Sequence, residues 1–212
     1  GSQYVLAPYP TRTHSVADTD RRERVIWRLV GAVNGTKLTY DPARPAGAPE
    51  TLEAGEVSTF RTDEIVTVSS QDAEHPFYAS VFMTSASSYS PHVNRAQGDP
   101  DYVNIVPADQ FLDRYVFFTD HTYPETGLTI VRRKTARGFL PVELECAGPI
   151  EGFQPVGNSG EYELAWVRLA SSGRPLTFPK GTCDYGRQEA KSEGPFSVTV
   201  RGVGPYVSYG YA

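Results

Sequence analysis

The stretch RVIWRLVGAVNGTKLTYD, residues 24–41, contains two strand-like segments on either side of an Asn-Gly pair. The first segment is apolar on both strand parities, at Val25, Trp27 and Leu29 on one and at Ile26 and Val30 on the other. That pattern indicates either burial of both faces or a bulge. Asn34-Gly35 favours a type I′ turn, because both central residues need positive φ. We therefore expect a hairpin in which residues 24–33 pair with residues 36–41.

A similar order of segments recurs after about 110 residues, a spacing suited to one small β domain rather than to a solenoid unit. The matching pairs are 4–6 with 115–117, 24–30 with 128–133, 37–40 with 141–145, 54–57 with 159–162, and 75–81 with 194–200. This internal repeat predicts a first β-sandwich over residues 3–90, a bridge over 91–114 and a second β-sandwich over 115–212.

The fold class follows from many short β-branched and aromatic segments separated by turns rich in Gly and Pro. No alternation of strands with long helices is visible, so a parallel doubly wound sheet is excluded. Residues 107–113 favour a short helix, since Pro suits the first helical position and Asp109 the first turn. The chain is thus predicted to be all-β, with two tandem antiparallel β-sandwich modules and a short helix in the bridge.

Composition excludes two classes of partner. The chain has 212 residues with a formal net charge of −5, and it has no basic stripe with interleaved aromatic residues, so nucleic acid is not expected as a partner. No apolar run approaches the length of a membrane span, so membrane insertion is not expected either.

Cys146 and Cys183 are the two cysteines of the chain. Two thiols alone cannot make a zinc site, which leaves a pair of buried free thiols or a disulfide. Both residues lie at the ends of strand-like segments, so we favour the disulfide. A bridge would imply an oxidising compartment, with the chain secreted or at the cell surface.

Several motifs together resemble the N-terminal domain family of IgGFc-binding proteins. They are GDPDYVNIVP at 98–107, QFL at 110–112, YVFFT at 115–119, TYPET at 122–126, CAG at 146–148, GTCD at 181–184 and SYGY at 208–211. They span roughly residues 98–212, and residues 4–84 match through the internal repeat. The resemblance implies that the chain corresponds to the C-terminal part of that domain, in a secreted protein of animals or bacteria.

The resemblance further implies a non-enzymatic extracellular module that acts in binding or adhesion. Its expected partners are an extracellular protein or glycan, with IgG Fc as the family's named ligand, and neighbouring domains of a longer chain. The family pattern also strengthens the pairing of Cys146 with Cys183. No cofactor is expected.

The residues that could bind a metal ion are scattered along the chain. The four histidines, His14, His75, His92 and His121, do not lie at the spacing of known ligand motifs, so surface loop positions explain them better. A calcium site from Asp99, Asp101 and Asp120 is conceivable, because hard oxygen ligands cluster on loops. We predict no metal site.

Two other functions remain as alternatives. The first is a carbohydrate-active hydrolase with Glu143, Glu145 or Asp120 as carboxylates, which requires two carboxyl groups ~5–9.5 Å apart across a cleft. The second is a structural spacer of a surface stalk, which a surface without a concave or aromatic patch would favour.

Overall fold

The computed structural model describes residues 1–12, 22–86 and 97–212. In this part of the chain the fold is all-β and the strand pairs are antiparallel, as predicted. In the first half, the strands are β1 (Gln3–Leu6), β2 (Val25–Gly31), β3 (Thr36–Asp41), β4 (Thr51–Leu52), β5 (Val57–Thr62), β6 (Val66–Ser70), β7 (Phe77–Phe82) and β8 (Tyr102–Asn104). In the second half, they are β9 (Leu112–Thr119), β10 (Glu125–Arg133), β11 (Val142–Leu144), β12 (Gly148–Pro149), β13 (Gln154–Val156), β14 (Tyr162–Ser171), β15 (Arg174–Pro175), β16 (Thr177–Phe178), β17 (Gly181–Thr182), β18 (Gly186–Gly204) and β19 (Val207–Tyr211).

The first half is built from two four-stranded sheets, in the orders β1-β6-β3-β4 and β5-β2-β7-β8. Their facing sides form one hydrophobic core, which includes Tyr4 and Leu6 from one sheet and Trp27, Leu29 and Phe77 from the other. Trp27 is fully buried in this core. Burial of such a large side chain contributes strongly to the stability of a small sandwich.

The expected hairpin between residues 24–33 and 36–41 is wrong. β2 pairs with β5 and β7, whereas β3 pairs with β4 and β6 in the other sheet. Asn34 and Gly35 do form a turn, in which Gly35 has a φ of +70° and the Asn34 Oδ1 accepts a hydrogen bond from the Ala54 amide. The turn therefore carries the chain across the core from one sheet to the other, so that Trp27 and Leu38 face the same core.

The second half contains a larger continuous sheet, in the order β12-β11-β18-β10-β14-β13. Its central strand is β18, which is 19 residues long. The N-terminal part of β18 pairs with β9 and β11, and its C-terminal part pairs with β10 and β19. A second core, which includes Leu128, Ile130, Phe196 and Val198, lies between the two parts.

The strand pairings of the two halves run in the same order. β5-β2-β7-β8 corresponds to β14-β10-β18-β19, and β1-β6-β3-β4 corresponds to β9-β18-β11-β12. Val81 pairs with Trp27, and Val200 pairs with Leu128. This register aligns Trp27, rather than the expected Arg24, with Leu128. The domain boundaries at residues 90 and 115 remain predictions.

The short helix expected over residues 107–113 is reduced to a single 3-10 turn, Ala108–Gln110. Phe111 already has extended backbone, and Leu112 pairs with Phe196 of β18. Pairing with the sheet thus outcompetes the local helical preference. In the described residues, no helix is long and apolar enough to cross a membrane.

Cys146 and Cys183 form the expected disulfide, with their Cα atoms 4.9 Å apart. Cys146 follows β11, and Cys183 follows β17. The bridge therefore fastens the loop region that contains the short strands β16 and β17 to the second core, in which Cys183 is buried.

The disulfide closes a sequence separation of 37 residues, and its removal is expected to destabilise the chain. Replacing both cysteines by serine should lower the free energy of unfolding by about 4 kcal/mol, because the unfolded chain regains loop entropy. Urea unfolding followed by tryptophan fluorescence measures this change. The wild-type chain under reducing conditions is the matched control and should lose a similar amount, whereas an unchanged urea midpoint in the double variant would contradict the expectation.

Candidate functional site

The outer side of the sheet β5-β2-β7-β8 carries several apolar and aromatic side chains in contact with water. Side chains alternate along a strand, so Val25, Trp27 and Leu29 face the core while their neighbours point outwards. We call this outer side the open face. Its apolar and aromatic residues are Ile26, Val30, Val57, Tyr78, Phe82 and Tyr102, and its polar residues are Arg28, Thr59, Arg61, Ser80 and Asn104. Val57, Tyr78 and Tyr102 are 56%, 63% and 60% exposed.

The open face has an ordered aromatic centre. The rings of Phe82 and Tyr102 stack with their centroids 5.3 Å apart. The Arg28 guanidinium lies over the Phe82 ring at 4.6 Å, a cation–π contact. Aromatic residues and Arg are enriched at protein interfaces, because they offer large contact areas with few groups to desolvate. The arrangement therefore has the composition of a binding surface.

The sequence did not predict this surface. The apolar Ile26 and Val30 on the second parity of the first segment predicted burial of both faces or a bulge, whereas the structure leaves both half-buried on the outer side of the sheet. Local patterns do not distinguish Tyr78 and Tyr102 from tyrosines that fill the cores of sandwiches. Their exposure depends on pairings with β2 and β7 that local patterns do not specify.

The corresponding face of the second half is buried against the first half. Val131, Tyr162 and Leu164 form a third cluster with Val5 and Ala7 of the first half. The Trp166 Nε1 donates a hydrogen bond of 2.8 Å to the Pro8 carbonyl, and the Thr129 hydroxyl donates one of 3.3 Å to the same oxygen. We call this contact between the halves the junction.

Buried charges close one end of the junction. Arg201 is 3% exposed, pairs with Asp101 at 2.5 Å and lies over the Tyr9 ring at 4.6 Å. Tyr9 donates a hydrogen bond of 2.6 Å to Glu23, which also forms a buried ion pair with Arg12. Burial, reinforced by the negative charge of Glu23, raises the pKa of Tyr9, so its phenol stays protonated and donates.

A small cavity of about 50 Å³ lies beside these charges, lined in part by Tyr9, Arg12 and Arg201. Its volume is suited to a few water molecules rather than to a substrate. The network of buried charges therefore stabilises the contact between the halves.

The three carboxylates considered for hydrolysis do not share a groove. Glu143 lines a surface groove that neither Glu145 nor Asp120 lines. Glu145 is ion-paired with Arg187 at 2.9 Å. Hydrogen bonds from the Thr122 amide and hydroxyl lower the pKa of Asp120, which makes it a poor general acid at neutral pH. Of these three residues only Glu143 lines this groove, so they do not form a carboxylate pair across it.

The residues weighed for metal binding have other partners. Asp101 pairs with Arg201, and the His75 ring lies 2.6 Å from Asp72. The backbone carbonyl of Asp99 accepts a hydrogen bond from the Ser208 hydroxyl. His121 lies 3.8 Å from Asp120 at the surface. His14 and His92 fall outside the described residues. Among the residues that are described, no group of three His, Cys, Asp or Glu side chains could hold a metal ion.

Several of the motifs that carry the family resemblance contact parts of the chain that are distant in sequence. The Gly98 amide donates to the Gly204 carbonyl at 2.8 Å, and the Ser208 hydroxyl donates to the Asp99 carbonyl at 2.5 Å. The Tyr211 hydroxyl bonds to both backbone groups of Phe118. These motifs therefore hold the fold together rather than form a catalytic centre.

The two sides of β7 should respond differently to substitution. Phe77→Ala is expected to lower the free energy of unfolding by about 3–5 kcal/mol, because it leaves a cavity in the first core. Tyr78→Ala removes an exposed ring and should change the free energy of unfolding by no more than about 0.5 kcal/mol. Chemical denaturation of both variants makes the comparison. If Tyr78→Ala lowered the free energy of unfolding as much as Phe77→Ala, the open face would be part of a packed interior.

Comparison with known proteins gives a family but no characterised relative. No curated protein and no solved structure matches the chain. The family model described as IgGFc binding protein matches residues 1–202 of the 212, which cover the first half, the disulfide and the second half up to the last residues of β18. The all-β fold and the paired cysteines agree with what the motifs implied. The chain belongs to the IgGFc-binding protein family.

Proposed function

We propose that this chain is an extracellular, non-catalytic protein-binding module and that the open face is its binding surface. The observation that carries the proposal is the apolar, aromatic outer side of β5-β2-β7-β8. Val57, Tyr78 and Tyr102 are more than half exposed there, although they are large apolar side chains. Such a contiguous surface is typical of interaction sites in soluble proteins.

The extracellular location is supported by the disulfide and by the family. Disulfides persist in oxidising compartments and are rare in the cytosol. Cys146 and Cys183 are joined, and no cysteine in the described part of the chain is free. Membership of a family described as IgGFc binding protein agrees with a role outside the cell.

The chemistry of the open face suits a protein better than a glycan. Ile26, Val30 and Val57 offer no hydrogen-bonding groups, so sugar hydroxyls placed on them would lose partners without compensation. An aliphatic or aromatic side chain of a protein would instead gain buried apolar area. The sheet is also a broad face rather than a narrow groove. A purely structural spacer would not require this exposed aromatic centre.

IgG Fc is the first ligand to test, because the family description names it. Immobilised Fc fragment should bind the wild-type chain, and Tyr78→Asp should weaken this binding at least 10-fold, since a charge in the centre of an apolar interface costs about 1.4 kcal/mol or more. Biolayer interferometry measures both affinities. Tyr206→Asn is the matched control, because it removes a ring that is 66% exposed but lies outside the open face.

Three outcomes would change the proposal. Equal Fc binding by wild type and Tyr78→Asp would place the binding surface elsewhere. Absence of Fc binding by the wild-type chain at micromolar concentration would remove Fc as the ligand. A glycan-array signal that Tyr78→Asp abolishes would assign the open face to a glycan.

A further inference from the structure

The open face of the first half has a counterpart in the second half that is already occupied. The strand pairings align Val57 with Leu164 and Val30 with Val131. Val57 is 56% exposed, whereas Leu164 is fully buried and Val131 is 4% exposed. The same position in the same arrangement of strands is therefore a solvent-facing surface in one half and a packed interface in the other.

The first half supplies what covers the second. β1 is the covering strand: Tyr4 and Leu6 face its own core, and Val5 and the following Ala7 face the second half. Ala108 from the bridge packs beside them, and Phe111 lies edge-on to Tyr162 with ring centroids 6.4 Å apart. An apolar strand side thus packs on an apolar sheet face.

The covering strand also has a counterpart. Tyr4 and Tyr115 occupy the same place, since each pairs with a core residue of the adjacent strand, Val68 and Ala190. Val5 and Ala7 then correspond to Val116 and Phe118. These two residues are 58% and 60% exposed, although their counterparts are buried.

We call this second surface the docking strand. It consists of Leu112, Val116 and Phe118 on the outer side of β9, together with Arg114, which is ion-paired with Glu189 at 2.9 Å. Leu112 is 56% exposed, and a groove of about 200 Å³ runs beside it towards Tyr211. The chain therefore exposes both members of an interface that it also makes internally: an open face on the first half and a docking strand on the second.

We propose that the docking strand of one copy of this chain packs on the open face of a second copy, in a head-to-tail contact that repeats the junction. The inference rests on the proposed function, because it names a partner for the same open face. Val116 and Phe118 would take the places of Val5 and Ala7, against Val30 and Val57.

The contact is open at both ends. A head-to-tail interface leaves one open face and one docking strand free, so further copies can add without a closed ring. It is also weaker than the junction, since the two halves of one chain are covalently linked at an effective concentration of roughly millimolar. Association is therefore expected only at high protein concentration.

Sedimentation velocity over a concentration series up to roughly 0.5 mM tests the proposal with three single variants. The wild-type chain should show a weight-average mass that rises with concentration beyond that of a dimer. Tyr78→Asp in the open face and Phe118→Asp in the docking strand should each remain monomeric. An equimolar mixture of these two variants should form a dimer and nothing larger, because one intact open face meets one intact docking strand. Tyr206→Asn should associate like the wild type.

Three results would overturn the inference. The first is a wild-type chain that stays monomeric over the whole series. The second is a mixture of Tyr78→Asp and Phe118→Asp that stays monomeric. The third is association of either variant alone. Fc binding distinguishes a failure of this inference from a failure of the proposed function. Phe118→Asp leaves the open face intact and should bind Fc like the wild type. Tyr78→Asp should lose both Fc binding and self-association.

Discussion

The structure depends on the burial of β1 on both of its faces. Tyr4 and Leu6 complete the first core, while Val5 and the adjacent Ala7 fill the apolar face of the second half. A strand that is buried on both sides belongs to two packing units at once. The Tyr4 hydroxyl adds a hydrogen bond of 2.7 Å to the Phe77 carbonyl, which fixes the strand against β7. Displacing β1 would therefore open one core and uncover the other.

The all-β class, the antiparallel pairing and the disulfide could be predicted from the sequence, because they depend on composition, local alternation and the two cysteines. The partner of β2 could not. Asn34-Gly35 supplies the positive φ that a hairpin needs, and a crossing between two sheets uses that φ equally well. The choice is made by the other partners of the two strands: β5 and β7 pair with β2, and β4 and β6 pair with β3 in the opposite sheet. That constraint is non-local, and turn chemistry does not contain it.

The open face, like the partner of β2, could not be predicted from local sequence patterns. The apolar residues on both parities of β2 predicted burial of both faces or a bulge, whereas Ile26 and Val30 lie half-buried on an outer face. The register that brings Tyr78 and Tyr102 beside them comes from the pairing of β7 with β2 and β8. The counterpart relation between Trp27 and Leu128 also comes from pairing, since a comparison of segments alone placed Arg24 there. The correspondence between the exposed open face of the first half and the buried face of the second half becomes visible only when the strand pairings are known.

The two apolar surfaces have one physical explanation. Apolar side chains on a solvent-facing strand contribute little to the stability of a monomer, and an unpaired apolar edge invites aggregation. Val57 and Tyr78 are such residues on the outer side of the first half, and Val116 and Phe118 are such residues on the outer side of the second half. Each set stands where its counterpart is buried in the junction. When the first half packs on the second, the open face of the first half and the docking strand of the second half stay uncovered. Both keep the apolar side chains that a contact like the junction requires.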